Sequence, residues 1–309
     1  MKTVLITGIS GFIGSNLVRH FKDQPDIRLM GYSRKPEATA DIKLVSGYSA
    51  ALLDELSVDC VIHLAGIAHD LSGKYQDEDY DSVNFGMTAS LYEEFLKSRA
   101  TAFIFMSSIK AAADHASLPV DESVNPSPLT SYGRSKLKAE QFIIQNGSKD
   151  GKHFYIFRPS VIYGRGNKGN MHLLAKLIQS GMPYPLGKYD NQRSFLFIEN
   201  LNFIVEQFIR NQFDSGVYHL SDGSTHSTSE LIHIMAAAMQ KRIPVWNLPK
   251  GIVDLLANVG SVVHLPFNRN TLSKLTESLV VSNGKVIGEM GSPLPFTTPE
   301  GLSKTYAES

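Results

Sequence analysis

Three short stretches carry side chains that could move a proton and a hydride together. In SYGRSK, Tyr132 and Lys136 stand four residues apart, on one face of a helix that contains them. An ammonium beside a phenol favours the phenolate, so a tyrosine in that setting could exchange a proton near neutral pH. In FIFMSS an apolar run ends in two hydroxyls, Ser107 and Ser108. Ser108 could hydrogen-bond the same substrate oxygen while a carbonyl becomes an alkoxide. In TGISGFIG, Gly8, Gly11 and Gly14 follow the apolar run Val4, Leu5 and Ile6, and Phe12, Ile13, Leu17, Val18 and Phe21 continue at helical spacing. This reads as strand, tight turn, helix. Glycine there lets a phosphate approach bare backbone N–H groups, and the helix N-terminus adds partial positive charge. Each stretch alone has a plainer reading, a surface helix pair or a ligand-free turn; their combination points to hydride transfer with a dinucleotide.

Placing these residues together requires a parallel α/β sheet. The runs ITG, IRLMGY, IKLV, CVIHLA, AFIFMSS and HFYIFRPS alternate with segments long enough for helices, and ligands of such sheets bind at the carboxyl edge of the strands. Tyr80, Val83, Met87, Leu91 and Phe95 predict one helix with one apolar stripe, packed on the core except for Asn84. FRPSVIYG predicts a strand running out into a loop over Arg158 to Gly164 that closes the pocket from the far side. Beyond Gly164 the alternation breaks down, and turns such as SGMPYPLG and GSPLPFTTP join shorter elements. The expected division is a first domain over 1–164, to which about 195–220 returns, and a smaller lobe from 165–194 and 221–309.

Composition narrows the class. The 309 residues are 42% hydrophobic, with 30 basic and 30 acidic side chains. That balance gives no electrostatic footprint for nucleic acid or an anionic membrane. The single cysteine, Cys60, lies in the apolar run CVIHLAG, so neither an internal disulfide nor a cysteine metal site is expected. No apolar run approaches the length of a membrane span, and the chain opens on a core strand. A cytoplasmic location is expected, and no metal.

On these motifs the chain resembles the extended short-chain dehydrogenase/reductases, the NAD-dependent epimerase/dehydratase group, over nearly its whole length. TGISGFIG is similar to the group's TGxxGFIG, HLAG at His63 to Gly66 to its cofactor-edge strand, NFGMT to its Asn-containing helix, and SS with YGRSK to its Ser, Tyr and Lys. SSIK, PSPLTSYGRSKLKAE, and GRGNKGN followed by PLGKYDNQRSFLFIENL look more narrowly like bacterial 4-epimerase-like or 4-ketoreductase enzymes of UDP-linked acetamido sugars. The resemblance implies a Rossmann-type doubly wound parallel sheet with a smaller mixed α/β C-terminal substrate lobe. It implies a nicotinamide enzyme acting at C4 of a UDP-linked hexose, an acetamido or deoxy sugar for surface polysaccharide synthesis. Ser108, Tyr132 and Lys136 would be catalytic, with Tyr132 as general acid/base. Gly8, Gly11, Phe12, Ile13 and Gly14 would hold the pyrophosphate. Leu64, Ala65, Gly66, Asn84, Ser107 and Pro159 would complete the cofactor site, and Lys136 would also reach the nicotinamide ribose. Arg193, and near it Lys168 and Asn170, would take the sugar nucleotide, with Lys110 close enough to enter the pocket. His63 reads as a core histidine. The helices Val83 to Phe95 and Leu137 to Ile144 would pair in a homodimer.

The departures from the group's pattern are informative. The second strand is followed by GYSRK, without the acidic residue that binds both ribose hydroxyls of NAD. Ser33 and Arg34 there suit a 2′-phosphate, which favours NADP(H) and keeps NAD(H) possible. Tyr48 stands where many relatives have an adenine-binding aspartate, and Val161 replaces a frequent asparagine. The alternatives are a UDP-glucose or UDP-N-acetylglucosamine 4-epimerase with tightly bound NAD, and a dinucleotide-sensing protein without catalysis.

Overall fold

The structure is a computed structural model that describes residues 1–33, 42–67, 75–148, 151–167, 169–262 and 268–307. In chain order its first half runs β1 (Lys2–Thr7), α1 (Phe12–Phe21), β2 (Ile27–Tyr32), β3 (Lys43–Val45), α2 (Ala50–Glu55), β4 (Cys60–His63), α3 (Asp77–Tyr80), α4 (Met87–Lys97), β5 (Ala102–Met106), β6 (Ala116–Val120), α5 (Ser131–Asn146) and β7 (His153–Pro159). It continues through β8 (Val161–Tyr163), α6 (Asn170–Ser180), β9 (Arg193–Phe197), α7 (Ile198–Arg210), β10 (Gly216–Leu220), β11 (Thr225–His226), α8 (Thr228–Ala238), α9 (Lys250–Val262), α10 (Arg269–Thr276), β12 (Leu279–Val281), α11 (Gly284–Met290) and α12 (Thr298–Tyr306).

Seven strands form a parallel sheet in the order β10-β7-β5-β4-β1-β2-β3. From β1 the chain moves one way to β2 and β3 and then crosses back to β4 and β5. The crevice over the carboxyl ends of β1 and β4 is therefore a topological switch point, where ligands of such sheets bind. Every run expected as a strand is one, in the parallel sense. The strand alternation sorts the core. Val4, Ile6, Ile62 and Ile104 face one layer with Leu17, Phe21, Leu201 and Phe208. Leu5, Val61, Phe103 and Phe105 face the other with Leu91, Tyr92, Phe95 and Ile143. With both faces covered, the strands are apolar throughout, as parallel sheets require.

One expectation about the helices changes. The helix through Tyr80 and Phe95 is continuous but not regular, since a π-helical turn over Asp81–Gly86 separates α3 from α4. The cause is Asn84, fully buried, whose amide accepts from the Ile67 N–H at 2.8 Å and donates to the Ile67 carbonyl and to Ser135 Oγ, both at 3.1 Å. The Thr88 hydroxyl in turn donates to the Asn84 carbonyl at 2.6 Å. The apolar stripes of α4 and α5 face the sheet. Leu91, Phe95 and Ile143 are completely buried within one chain, whereas Ile144 on α5 stays exposed.

A second sheet, in the order β11-β9-β12-β6, carries the C-terminal half, and β8 pairs with β9. The link between the sheets is Asp222, which accepts hydrogen bonds from Phe197 N (2.9 Å), Asn200 Nδ2 (2.8 Å), Tyr163 OH (3.0 Å) and Thr298 Oγ1 (3.1 Å). One carboxylate thus gathers β8, β9, α7 and α12. Among the described residues no helix is long and apolar enough to cross a membrane. Replacing Asp222 by Ala removes the acceptor of the buried Phe197 N–H and one partner each of Asn200, Tyr163 and Thr298, which keep the Phe296 carbonyl, the Thr298 carbonyl and Ser224, so Asp222→Ala is expected to cost roughly 2 to 3 kcal/mol, read as a lower midpoint in urea unfolding.

Candidate active site

The glycine turn is shaped for close approach. Gly8 has φ of +72°, and a Cβ there would lie 2.7 Å from the Ala65 amide nitrogen, so only glycine lets β1 and the turn after β4 touch. Gly11 is the N-cap of α1 and offers no side chain to its first-turn amides. Those N–H groups and the helix dipole point at the switch-point crevice, which fits the diphosphate of a dinucleotide. His63 lies beneath the turn, completely buried, with Nδ1 2.6 Å from Thr7 Oγ1 and Nε2 3.0 Å from Thr88 Oγ1. Burial lowers its pKa to about 3, so it is a neutral structural bridge, as its apolar surroundings in the sequence led one to expect.

Across β5, a cavity of about 250 Å³ is lined by Ile13, Leu64, Gly66, Ile67, Met106, Ser107, Ser108, Tyr132, Lys136, Pro159, Ser160 and Ile162. It brings the two serines, the tyrosine, the lysine and the edges of the glycine turn into one space. The arrangement follows from α5, whose N-cap Thr130 accepts from Gly133 N at 3.1 Å. Gly133 presses on the turn after β5, where any Cβ would collide with the Lys110 carbonyl. The Ser108 hydroxyl hydrogen-bonds the Tyr132 phenol, and the Tyr80 ring meets Tyr132 edge-on at 6.3 Å.

The charges depart from expectation in one respect. Burial raises the Tyr132 pKa, and the Ser108 hydrogen bond only opposes this. The reason is that the Lys136 Nζ is turned to the Met106 carbonyl at 2.9 Å, 4.8 Å over the Phe105 ring, and burial lowers its own pKa to about 8. Tyr132 is therefore a phenol, not a phenolate, in this site. Behind it stands a pair that no motif pointed to. Glu140 accepts from Arg158 Nε at 3.0 Å and from its terminal nitrogen at 2.5 Å, with both side chains buried. The Ser107 hydroxyl also donates to Glu140, and Arg158 reaches His219 Nε2 at 3.3 Å. Its sequence signal is the spacing Tyr132, Lys136, Glu140, one helical face continued by a further turn.

Other expected residues lie elsewhere. Lys110 pairs with Asp114, Nζ to Oδ1 3.1 Å and to the Asp114 carbonyl 2.7 Å, so it holds a loop and does not line the cavity. Asn84 shapes the Ile67 backbone from behind. Arg193 opens β9, opposite Leu279 and His226, outside the cavity lining. Asn170 begins α6. Arg34 and Lys168 lie outside the described residues. A larger cleft of about 910 Å³ between α1, α7 and α12 contains Asn16, Arg19 and Lys304 but none of the expected residues.

A glycine turn at the switch point of a parallel sheet, with Ser, Tyr and Lys converging across β5, defines an enzyme of the nicotinamide-dependent short-chain dehydrogenase/reductase type. The chain belongs to the NAD dependent epimerase/dehydratase family, whose model matches residues 4–220. It is 30% identical to a UDP-glucose 4-epimerase of Vibrio cholerae, over 98% of this chain and 94% of that one. Its fold is that of the UDP-N-acetylglucosamine 4-epimerase from Bacillus cereus, with a TM-score of 0.78, 19% identity and full coverage of both chains. It is also that of the Bordetella bronchiseptica enzyme WbmG in complex with NAD and UDP, with a TM-score of 0.75, 18% identity and coverage of 98% and 92%. The family comprises NAD-dependent epimerases and reductases of nucleotide sugars.

Two outcomes test the charge pattern. Activity that needs the Lys136 cation is expected to fall as pH rises through about 8, where the ammonium loses its proton, visible as an alkaline limb in kcat against pH. Tyr132→Phe is expected to lower kcat by roughly 10²- to 10⁴-fold, the scale of one general acid–base group, with cofactor affinity unchanged by fluorescence titration.

Proposed function

We propose that the protein acts at C4 of a UDP-linked hexose as a 4-epimerase that keeps its NAD. The observation that carries this reading is the convergence of Ser108, Tyr132 and Lys136 in one cavity with Ile13, Leu64 and Gly66 from the glycine-turn side. The relative named UDP-glucose 4-epimerase, matched nearly end to end, supports the reaction class. An acetamido or deoxy sugar for surface polysaccharide is the substrate that the sequence resemblance favours.

NAD held by the glycine turn would supply a hydride acceptor and donor for C4. Tyr132 carries the proton of the C4 oxygen: its phenol donates to the ketone as the hydride returns, and its oxygen accepts the hydroxyl proton in the oxidative direction. In the second role the Ser108 hydrogen bond opposes the burial that favours the phenol. Ser108 holds the substrate oxygen against Tyr132, and the Lys136 ammonium, anchored on the Met106 carbonyl, holds the cofactor side. Arg193 takes the diphosphate of the sugar nucleotide, a role suited to a guanidinium. The lobe around β9 and β12 forms the sugar-nucleotide half.

A second reading, an NADPH-dependent 4-ketoreductase, is favoured by the sequence Ser33-Arg34-Lys35 after β2, where a carboxylate would repel a 2′-phosphate. The two differ in cofactor traffic. Nucleotide released from the purified protein by denaturation is expected to be NAD. UDP-glucose or UDP-N-acetylglucosamine is then expected to yield its C4 epimer by NMR with no cofactor added. Protein that carries no nucleotide, but consumes NADPH with a UDP-4-ketohexose, decides for the reductase. Intact bound NAD with no turnover of any UDP-hexose overturns the catalytic reading.

A further inference from the structure

Ser160 is the single residue between β7 and β8. Its amide donates to the Leu220 carbonyl at 2.9 Å, which pins the backbone to β10. The residue is 7% exposed and lines the cavity beside Tyr132 and Ser108, yet its buried hydroxyl has no hydrogen-bond partner among the described residues. The neighbouring hydroxyls are all engaged: Ser107 with Glu140, Ser108 with Tyr132 and the Lys110 amide, Ser135 with the Tyr132 carbonyl and Asn84. Leaving a buried hydroxyl unmatched costs about 1 to 3 kcal/mol, so a partner from a ligand resolves an otherwise unfavourable arrangement.

We infer that Ser160 is a hexose-binding residue whose hydroxyl exchanges hydrogen bonds with a ring hydroxyl of the sugar nucleotide, an inference that rests on the reading of a UDP-hexose substrate. Two placements choose the sugar over the cofactor. The glycine-turn wall of the cavity, Ile13, Leu64 and Gly66, comes from the connections after β1 and β4, whereas Ser160 follows β7, on the far side of β5. The chain then leaves Ser160 into β8, which runs parallel to β9 with Val161 opposite Phe195. Arg193, the residue assigned to the diphosphate, opens β9 two residues before Phe195. Ser160 therefore meets the cavity on the stretch of chain that leads toward β9, opposite the glycine turn, where a hexose would lie. A hydroxyl that both donates and accepts matches a sugar hydroxyl.

The test is calorimetric binding of UDP, UDP-glucose and UDP-N-acetylglucosamine to the full-length, NAD-saturated protein, with NAD affinity measured separately. Ser160→Ala is expected to weaken the UDP-hexose that the wild type binds by roughly 5- to 30-fold, the range of one neutral hydrogen bond. UDP and NAD affinities stay within about twofold, and the KM for that sugar rises more than kcat falls. Since the hydroxyl has no partner among the described residues, the melting temperature should not fall; Ser160→Cys, which keeps the size with a weak donor, is expected to move binding the same way. Unchanged UDP-hexose binding in both variants overturns the inference, and so does an equal loss for NAD, which would put the hydroxyl on the cofactor. A wild type that binds NAD but neither UDP nor a UDP-hexose removes the substrate reading itself, and the inference with it.

Discussion

A carboxylate and a guanidinium shut away from water, Glu140 and Arg158, hold the reaction site in register. The pair joins α5 to β7 and, through Ser107, to the end of β5; through His219 it continues to β10 and on to the Val120 carbonyl at 3.2 Å. Removing one partner of such a buried pair costs about 3 to 5 kcal/mol, because the other charge is stranded. Here the loss would also loosen Ser107 and the helix that carries Tyr132 and Lys136. The negative charge of Glu140 further acts on Lys136, raising its pKa against the effect of burial. One pair therefore supplies rigidity and part of the electrostatics of the site.

The parts of the fold legible in the sequence are those set by local rules. Strand runs buried on both faces leave uninterrupted apolar stretches, and Gly8, Gly11 and Gly14 mark a turn where a side chain has no room. Ser108, Tyr132 and Lys136 were readable because a strand end and a helix face put them in fixed directions. What escaped reading depends on side-chain directions that spacing alone does not set. Lys110 was placed near the pocket by proximity alone, and its ion pair with Asp114 turned it away. The titration of Tyr132 was misjudged for a related reason: spacing shows that Lys136 shares its face, but not that the ammonium hydrogen-bonds the Met106 carbonyl. Ser160 carried no motif, and its interest arises from the lack of a partner that only a packed interior can reveal.

The two sheets divide the work. The parallel sheet offers backbone amides and fixed side chains at a switch point, with His63 and the two threonines as a neutral support. The second sheet is fastened by Asp222 and by the Ser221 hydroxyl, which donates to the Val281 carbonyl at 2.9 Å. Because β6 departs from the first half of the chain to pair with β12, the second sheet is knitted from segments far apart in sequence. The two sheets are thus covalently interleaved rather than joined by a single linker.

The widened turn at Asp81–Gly86 has a consequence for how this segment can vary in length. A π turn holds one residue more than an α-helical path between the same points, and each helical residue turns the chain by about 100°. A single-codon deletion within the turn would therefore let the helix close to regular geometry and leave Leu91, Tyr92 and Phe95 against the sheet, at the expense of the contacts between Asn84 and Ile67. A deletion after Gly86 has no spare residue to absorb it and would swing the rest of α4 around the axis, so that Leu91, Tyr92 and Phe95 leave the sheet and Glu93 enters it. The slack that would tolerate a change of length in this helix thus lies in the turn that Asn84 occupies.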